Sequence, residues 1–136
     1  MEKKFYTTVR VRYGETDQMG YCYYGNYAQY LEIGRVEALR ISGFRYRDLE
    51  EKGIMLPVLD FHIKYLYPAK YDDLLIIKTT ITEIKGSRIY FDYKIVNEVG
   101  QQIAIASTTL VFVSKETMKP IKAPEEIIQS FENEKK

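Results

Sequence analysis

Between Phe5 and Tyr13 the chain alternates, with Phe5, Val9, Val11 and Tyr13 on one side and Arg10 and Arg12 on the other. That period of two is the signature of a strand with one buried face. The next stretch, GETDQMGYCYYGN at residues 14–26, keeps no period and contains three glycines. A segment of this length without regular structure in a compact domain is more often functional than decorative. Helical spacing then sets in, with Tyr27, Leu31, Gly34, Ala38 and Ile41 recurring every three or four positions. Asn26 with Gln29 reads as a capping box at its start, and Ser42-Gly43 as its stop. The amphipathic piece from Phe44 to Gly53 predicts one or two further helical turns.

The remainder reads as strand over Met55 to Tyr67, Leu74 to Lys85, Arg88 to Asn97 and Gln101 to Lys115. Alternation is clearest in the third of these, where Ile89, Phe91, Tyr93 and Ile95 oppose Arg88, Tyr90, Asp92 and Lys94. Short glycine-containing connections, Lys85-Gly86-Ser87 and Glu98-Val99-Gly100, predict that the last three strands form an antiparallel meander. After Pro120 and Pro124, the segment EEIIQSFENEKK predicts a short terminal helix. One strand, one long helix and four more strands make an α+β order in which a single sheet covers a single helix. The edges of such a sheet need a partner or protection, so a homodimer that extends the sheet is expected, with pairing of dimers into a tetramer left open.

Composition narrows the class. At 136 residues with 46% apolar content, the chain matches one domain, residues 1–136, able to bury its own core. No apolar run approaches the roughly 20 residues that cross a bilayer, and the N-terminus lacks a signal-peptide pattern, so no membrane span and a cytoplasmic location are expected. A net charge of +1 lacks the basic excess of a nucleic-acid-binding domain. The single cysteine, Cys22, and single histidine, His62, argue against a thiolate cluster or a multi-histidine metal site. No metal and no cofactor are expected.

Candidate chemistry gathers in the loop before the long helix, which carries Glu15, Thr16, Asp17, Cys22 and several tyrosines beside a helix start with unpaired amides and a positive dipole end. Acyl transfer uses such parts, because amides stabilise the oxyanion and a carboxylate attacks the carbonyl or deprotonates water. An aspartate in a polar loop is more commonly a turn or cap residue, so spacing alone does not decide.

The stretch R-V-R-Y-G-E-T-D-Q-M-G-Y-C-Y-Y-G-N-Y-A-Q-Y-L-E-I-G-R-V-E-A-L-R, Arg10 to Arg40, resembles the signature of the 4-hydroxybenzoyl-CoA thioesterase family. The segment K-Y-L-Y-P-A-K-Y-D-D-L-L-I-I-K-T-T-I, Lys64 to Ile81, followed by Lys85-Gly86, is similar to that family's strand pattern. The resemblance implies a hot-dog fold, metal-free acyl-CoA hydrolysis and Asp17 as nucleophile or general base. It also implies an oxyanion donor in the backbone N–H of Tyr24, with Gly25 beside it at the helix start in contact with substrate. Tyr24 stands where many acyl-CoA thioesterases resembling this chain carry histidine, and the aromatic-acyl branch resembles it in carrying tyrosine.

Other residues carry two readings. Cys22 near the helix start is weighed as a nucleophile but reads better as structural filler. His62, opposite Phe61, Ile63 and Tyr65, reads as a surface histidine. Tyr27 and Tyr30 are expected in packing, while Tyr21, Tyr23 and Tyr24 stay open between packing and an acyl pocket. Glu32 reads as a solvated carboxylate that could edge that pocket. Coenzyme A phosphates need cationic partners, and Ser87 with Arg88 at a hairpin are the candidates, by analogy with hot-dog enzymes that hold nucleotide on the surface near the subunit boundary. The expected activity is hydrolysis of an acyl-CoA thioester, or less favourably an acyl-carrier-protein thioester. Enoyl-thioester hydration and a non-catalytic acyl-CoA-binding module are the alternatives.

Overall fold

A computed structural model describes residues 3–133. Its elements are β1 (Lys3–Arg10), α1 (Asn26–Ile41), α2 (Tyr46–Glu51), β2 (Ile54–Met55), β3 (Val58–Tyr65), β4 (Leu74–Lys85), β5 (Arg88–Asn97), β6 (Gln102–Val111), β7 (Val113–Ser114) and α3 (Glu125–Asn133). Five strands form one antiparallel sheet in the order β1-β4-β5-β6-β3, and β2 and β7 form a small separate ribbon. The expected meander is β4-β5-β6, with β1 and β3 as its two outer edges.

The inner face of the sheet is apolar because every second residue points to it. Leu75, Ile77 and Ile81 of β4 and Ile89, Phe91, Tyr93 and Ile95 of β5 are all buried. Each fully buried side chain of this size contributes roughly 1.5–3 kcal/mol of transfer free energy. Helix α1 lies over β1 and β4 and buries Tyr27, Tyr30, Leu31, Ala38 and Leu39 against them. Gly34 is what lets it come so close: a Cβ there would lie 2.5 Å from Thr79 Oγ1 and 3.0 Å from Ile77 Cγ2. The helix ends at Ser42, whose hydroxyl donates to the Ala38 carbonyl, and Gly43 turns away at φ +97°.

Several boundaries differ from expectation. The first strand stops at Arg10 rather than Tyr13, because the chain turns through a 3-10 segment over Tyr13–Glu15. Tyr13 therefore leaves the buried face and is exposed, edge-on to Tyr71. The strand expected over Met55 to Tyr67 is split at Pro57, and the last long strand is interrupted at Phe112. No capping box forms at the start of α1: Gly25 occupies the cap position, and the Asn26 side-chain amide instead donates to the Glu15 carbonyl at 2.7 Å. The terminal helix is present as Glu125–Asn133, and the residues after it in the expected segment lie outside those described.

Edge strand β3 is the least covered part of the sheet. All of its residues except Ile63 are exposed, among them Val58, Leu59, Phe61 and Tyr65. An open edge of this length presents unpaired main-chain donors and acceptors together with apolar side chains.

Candidate active site

The loop between β1 and α1 is folded back on itself by main-chain bonds. Thr16 and Cys22 bridge its two arms, and the Asp17 N–H donates to the Tyr21 carbonyl at 2.8 Å. Its returning arm is tied to the segment after β3, where the Cys22 N–H donates to the Ala69 carbonyl at 2.7 Å. The loop thus forms one wall of a cleft of about 450 Å³ whose lining includes Asp17, Tyr21, Tyr24, Tyr27, Tyr65 and Tyr67.

Asp17 performs the turn role and leaves capacity over. Its Oδ1 accepts from the N–H groups of Met19 (2.9 Å) and Tyr21 (3.2 Å), fixing the side chain as an Asx turn does. Its Oδ2 has no hydrogen-bond partner among the described residues. Tyr24 lines the same cleft, and its backbone N–H, like that of Gly25, donates to no described residue. Both amides lie immediately before the first residue of the 16-residue helix α1, at its positive dipole end. Asp17, with one oxygen held and the other unpartnered, therefore lines the same cleft as Tyr24, whose amide is unpaired, a combination that acyl transfer can use.

The tyrosines divide by depth. Tyr27 and Tyr30 are buried and meet edge to face at 5.8 Å, which matches packing, yet Tyr27 also faces the cleft. Tyr65 meets Tyr27 at 5.3 Å and Tyr24 at 6.4 Å, so three rings from the loop end, α1 and β3 form one aromatic wall. Burial pushes the hydroxyls of Tyr27, Tyr30 and Tyr65 above the ordinary tyrosine range, so they stay protonated donors at neutral pH. Sequence reasoning missed Tyr65 and Tyr67 as cleft residues, because their proximity to the loop arises only through the segment that follows β3.

Cys22 is buried, and burial raises its thiol above the ordinary value, which removes thiolate at neutral pH and agrees with a structural role. His62 is exposed on the outer face of the sheet, 2.9 Å from Asp60, and does not line the cleft. Glu32 is exposed on α1 and does not line it either. Ser87 and Arg88 stand at the far end of the sheet: Arg88 begins β5, whereas Tyr65 shares a row with Ala104 and Ile95 near its end. Seven residues at about 3.3 Å each put roughly 23 Å between those rows. One chain alone does not bring Ser87 and Arg88 to Asp17.

A larger depression, about 570 Å³, lies on the outer face among Lys4, Lys64, Lys78 and Lys94. It lacks the pairing of a held carboxylate with free amides at a helix start, and the smaller cleft is the better site. Among the described residues no group of three His, Cys, Asp or Glu side chains is placed to hold a metal ion. No described helix is long and apolar enough to cross a membrane.

Comparison with known proteins agrees with the fold. Residues 11–131 match the model of the thioesterase-like superfamily, and the chain belongs to that family. It is 38% identical over 113 residues to the Bacillus subtilis protein YneP, covering 83% of this chain and 82% of the relative. To the acyl-CoA thioester hydrolase YbgC of Escherichia coli it is 33% identical over 123 residues, covering 90% and 92%. The crystal structure of a DHNA-CoA thioesterase from Staphylococcus aureus superposes with a TM-score of 0.89 at 33% identity, covering 98% of this chain and 95% of that one. The fold is the hot-dog fold, a long helix held by an antiparallel sheet.

Proposed function

We propose that this protein hydrolyses acyl-CoA thioesters, with Asp17 as nucleophile or general base and the Tyr24 amide as oxyanion donor. The observation that carries the reading is the division of labour within Asp17: Oδ1 is held by two amides, Oδ2 has no partner among the described residues, and the residue lines the cleft that Tyr24 also lines. Attack on the carbonyl carbon, by Oδ2 itself or by water that Oδ2 deprotonates, moves negative charge onto the carbonyl oxygen. The Tyr24 and Gly25 amides at the start of α1 are the donors available to that charge. Collapse then expels the coenzyme A thiolate. The family membership and the activity of YbgC support the same reaction class.

The exposed β3 edge supports a homodimer that continues the sheet. Antiparallel pairing of two β3 strands would set Val58 of the partner subunit beside Tyr65 of this chain. The partner subunit's Arg88 would then approach this cleft, since the Arg88 row runs through Val111 beside the Val58–Leu110 pair. In that arrangement Ser87 and Arg88 serve the coenzyme A phosphates of the neighbouring site.

Asparagine is a clean probe of the chemistry, because its Oδ1 can still accept from Met19 and Tyr21 while the carboxylate is gone. Free-thiol release from a panel of aliphatic and aromatic acyl-CoAs should fall about 10²–10⁴-fold in Asp17→Asn at unchanged melting temperature. Equal turnover in the two proteins would remove Asp17 from the mechanism. Coenzyme A binding without turnover by the native protein would favour a binding module.

A further inference from the structure

Glu15 is tied more heavily than its surface position in sequence suggests. Its side chain is only 12% exposed. Oε1 accepts from the Arg12 N–H at 2.9 Å and from the Tyr30 hydroxyl at 2.8 Å, and Oε2 accepts from the Arg12 guanidinium at 3.0 Å. Its main-chain carbonyl accepts from the Tyr23 N–H at 2.8 Å and from the Asn26 side-chain amide at 2.7 Å. These donors come from the chain just past β1, from the returning arm of the loop and from the first turns of α1. Burial alone would raise this carboxyl, but the Arg12 N–H, the Tyr30 hydroxyl and the Arg12 guanidinium together hold it below its ordinary range, as a carboxylate.

Position along the chain gives this clamp a further consequence. Asp17 is two residues beyond Glu15, and Tyr24 is the residue after Tyr23, whose amide Glu15 holds. We infer that Glu15 is a positioning residue that fixes the Asp17 carboxylate against the Tyr24 amide by locking both arms of the loop to Tyr30 of α1. The inference rests on the Asp17 reading above. Misplacement of a reacting group by about 1 Å can cost on the order of 10²-fold in rate, so a clamp of this kind acts on kcat more than on KM. A residue that merely held the fold would lower the melting temperature and leave kcat per folded molecule unchanged.

The protein carries its own reporter for the clamp. Cys22, its sole cysteine, is buried in the returning arm, and its thiol donates to the Tyr30 hydroxyl oxygen at 3.5 Å. Cys22 also borders the cleft at 7% exposure, so the native protein sets the baseline rate with an aromatic disulfide reagent, and opening the loop raises that rate. The test compares Glu15→Ala, Tyr30→Phe and Asp17→Asn with the native protein in kcat, KM, melting temperature and rate of Cys22 modification; alanine is used because the amide oxygen of glutamine could still accept from the Arg12 N–H and the Tyr30 hydroxyl. Tyr30→Phe removes one hydroxyl and keeps the ring, so its kcat remains informative if Glu15→Ala folds poorly.

The expected result is a fall in kcat of about 10–100-fold in Glu15→Ala and Tyr30→Phe, with KM changed by less than about threefold. Cys22 modification is read in Glu15→Ala, because Tyr30→Phe removes the hydroxyl that Cys22 itself contacts; it should be about tenfold faster or more there and unchanged in Asp17→Asn. In Glu15→Ala, faster labelling without loss of kcat, loss of kcat without faster labelling, or no change in either would overturn the inference. An active Asp17→Asn would instead overturn the underlying reading, and with it Glu15's role in placing that carboxylate. An inactive Asp17→Asn beside a fully active Glu15→Ala would overturn only the role given to Glu15.

Discussion

The contact of α1 with β4 and the loop that precedes α1 adjoin in space, yet they are held by opposite means. Under the helix the fit is steric: Gly34 lies against Thr79 and Ile77, and Leu31, Ala38 and Leu39 are almost wholly buried. In the loop the fit is directional: the Asp17 side chain accepts from the Met19 and Tyr21 amides, Glu15 accepts from the Arg12 amide and the Tyr30 hydroxyl, Asn26 donates to the Glu15 carbonyl, and several of the intervening side chains are exposed. Close packing resists any change of volume. A hydrogen bond contributes only about 0.5–1.5 kcal/mol net, but it fixes an angle. The core therefore sets where the helix begins, and the loop sets what the helix start can do. Changes in the first should register as stability and changes in the second as rate.

Phe91→Ala should break the core side of this contrast most strongly. Phe91 is 1% exposed in the central strand of the sheet, and its loss should cost about 3–5 kcal/mol in urea unfolding. Gly34→Ala comes next. The new methyl meets Thr79 Oγ1 at 2.5 Å, so helix or strand must move, with an expected loss of about 1–3 kcal/mol and little change in kcat per folded molecule. The loop side is sharpened by acid. Glu15 has a folded pKa below its ordinary 4.5, so its stabilisation is complete above that pH and is lost as pH falls through the folded value. The melting-temperature gap between the native protein and Glu15→Gln should accordingly narrow below pH 4.5. His62→Ala should be the smallest effect, within about 0.5 kcal/mol and without change in thiol release, because His62 is exposed and outside the cleft.

Periodicity made most of the scaffold legible. Alternation over Ile89–Ile95 placed the buried face of β5, and helical spacing placed α1 to within one residue. Where the sequence misled, a tertiary bond had displaced a local one. Asn26 has the chemistry of a helix cap, but it is the first helical residue after Gly25, and its side chain is turned back to donate to the loop carbonyl of Glu15. Tyr13 continues the alternation of β1, but the Glu15 carboxylate draws the Arg12 N–H into a turn and ends the strand. The family resemblance pointed to Asp17 and Tyr24, and both line the cleft. Tyr65 and Tyr67 were not legible, since nothing near them in sequence shows that the segment after β3 returns to the loop at Ala69.

The strand order has a consequence for how the chain comes into being. As residues emerge from the N-terminus, β1 must wait for β4, whose first residue is Leu74, and β3 must wait for β6, which begins at Gln102. Only after most of the chain exists can either edge strand form its pairs, while α1 can form from local contacts long before. A nascent chain ending before Leu74 would hold the loop and helix complete with no sheet to lie on, and its apolar helix face would be open to whatever else is nearby. The part of the molecule that carries the proposed chemistry is thus made early and shaped late.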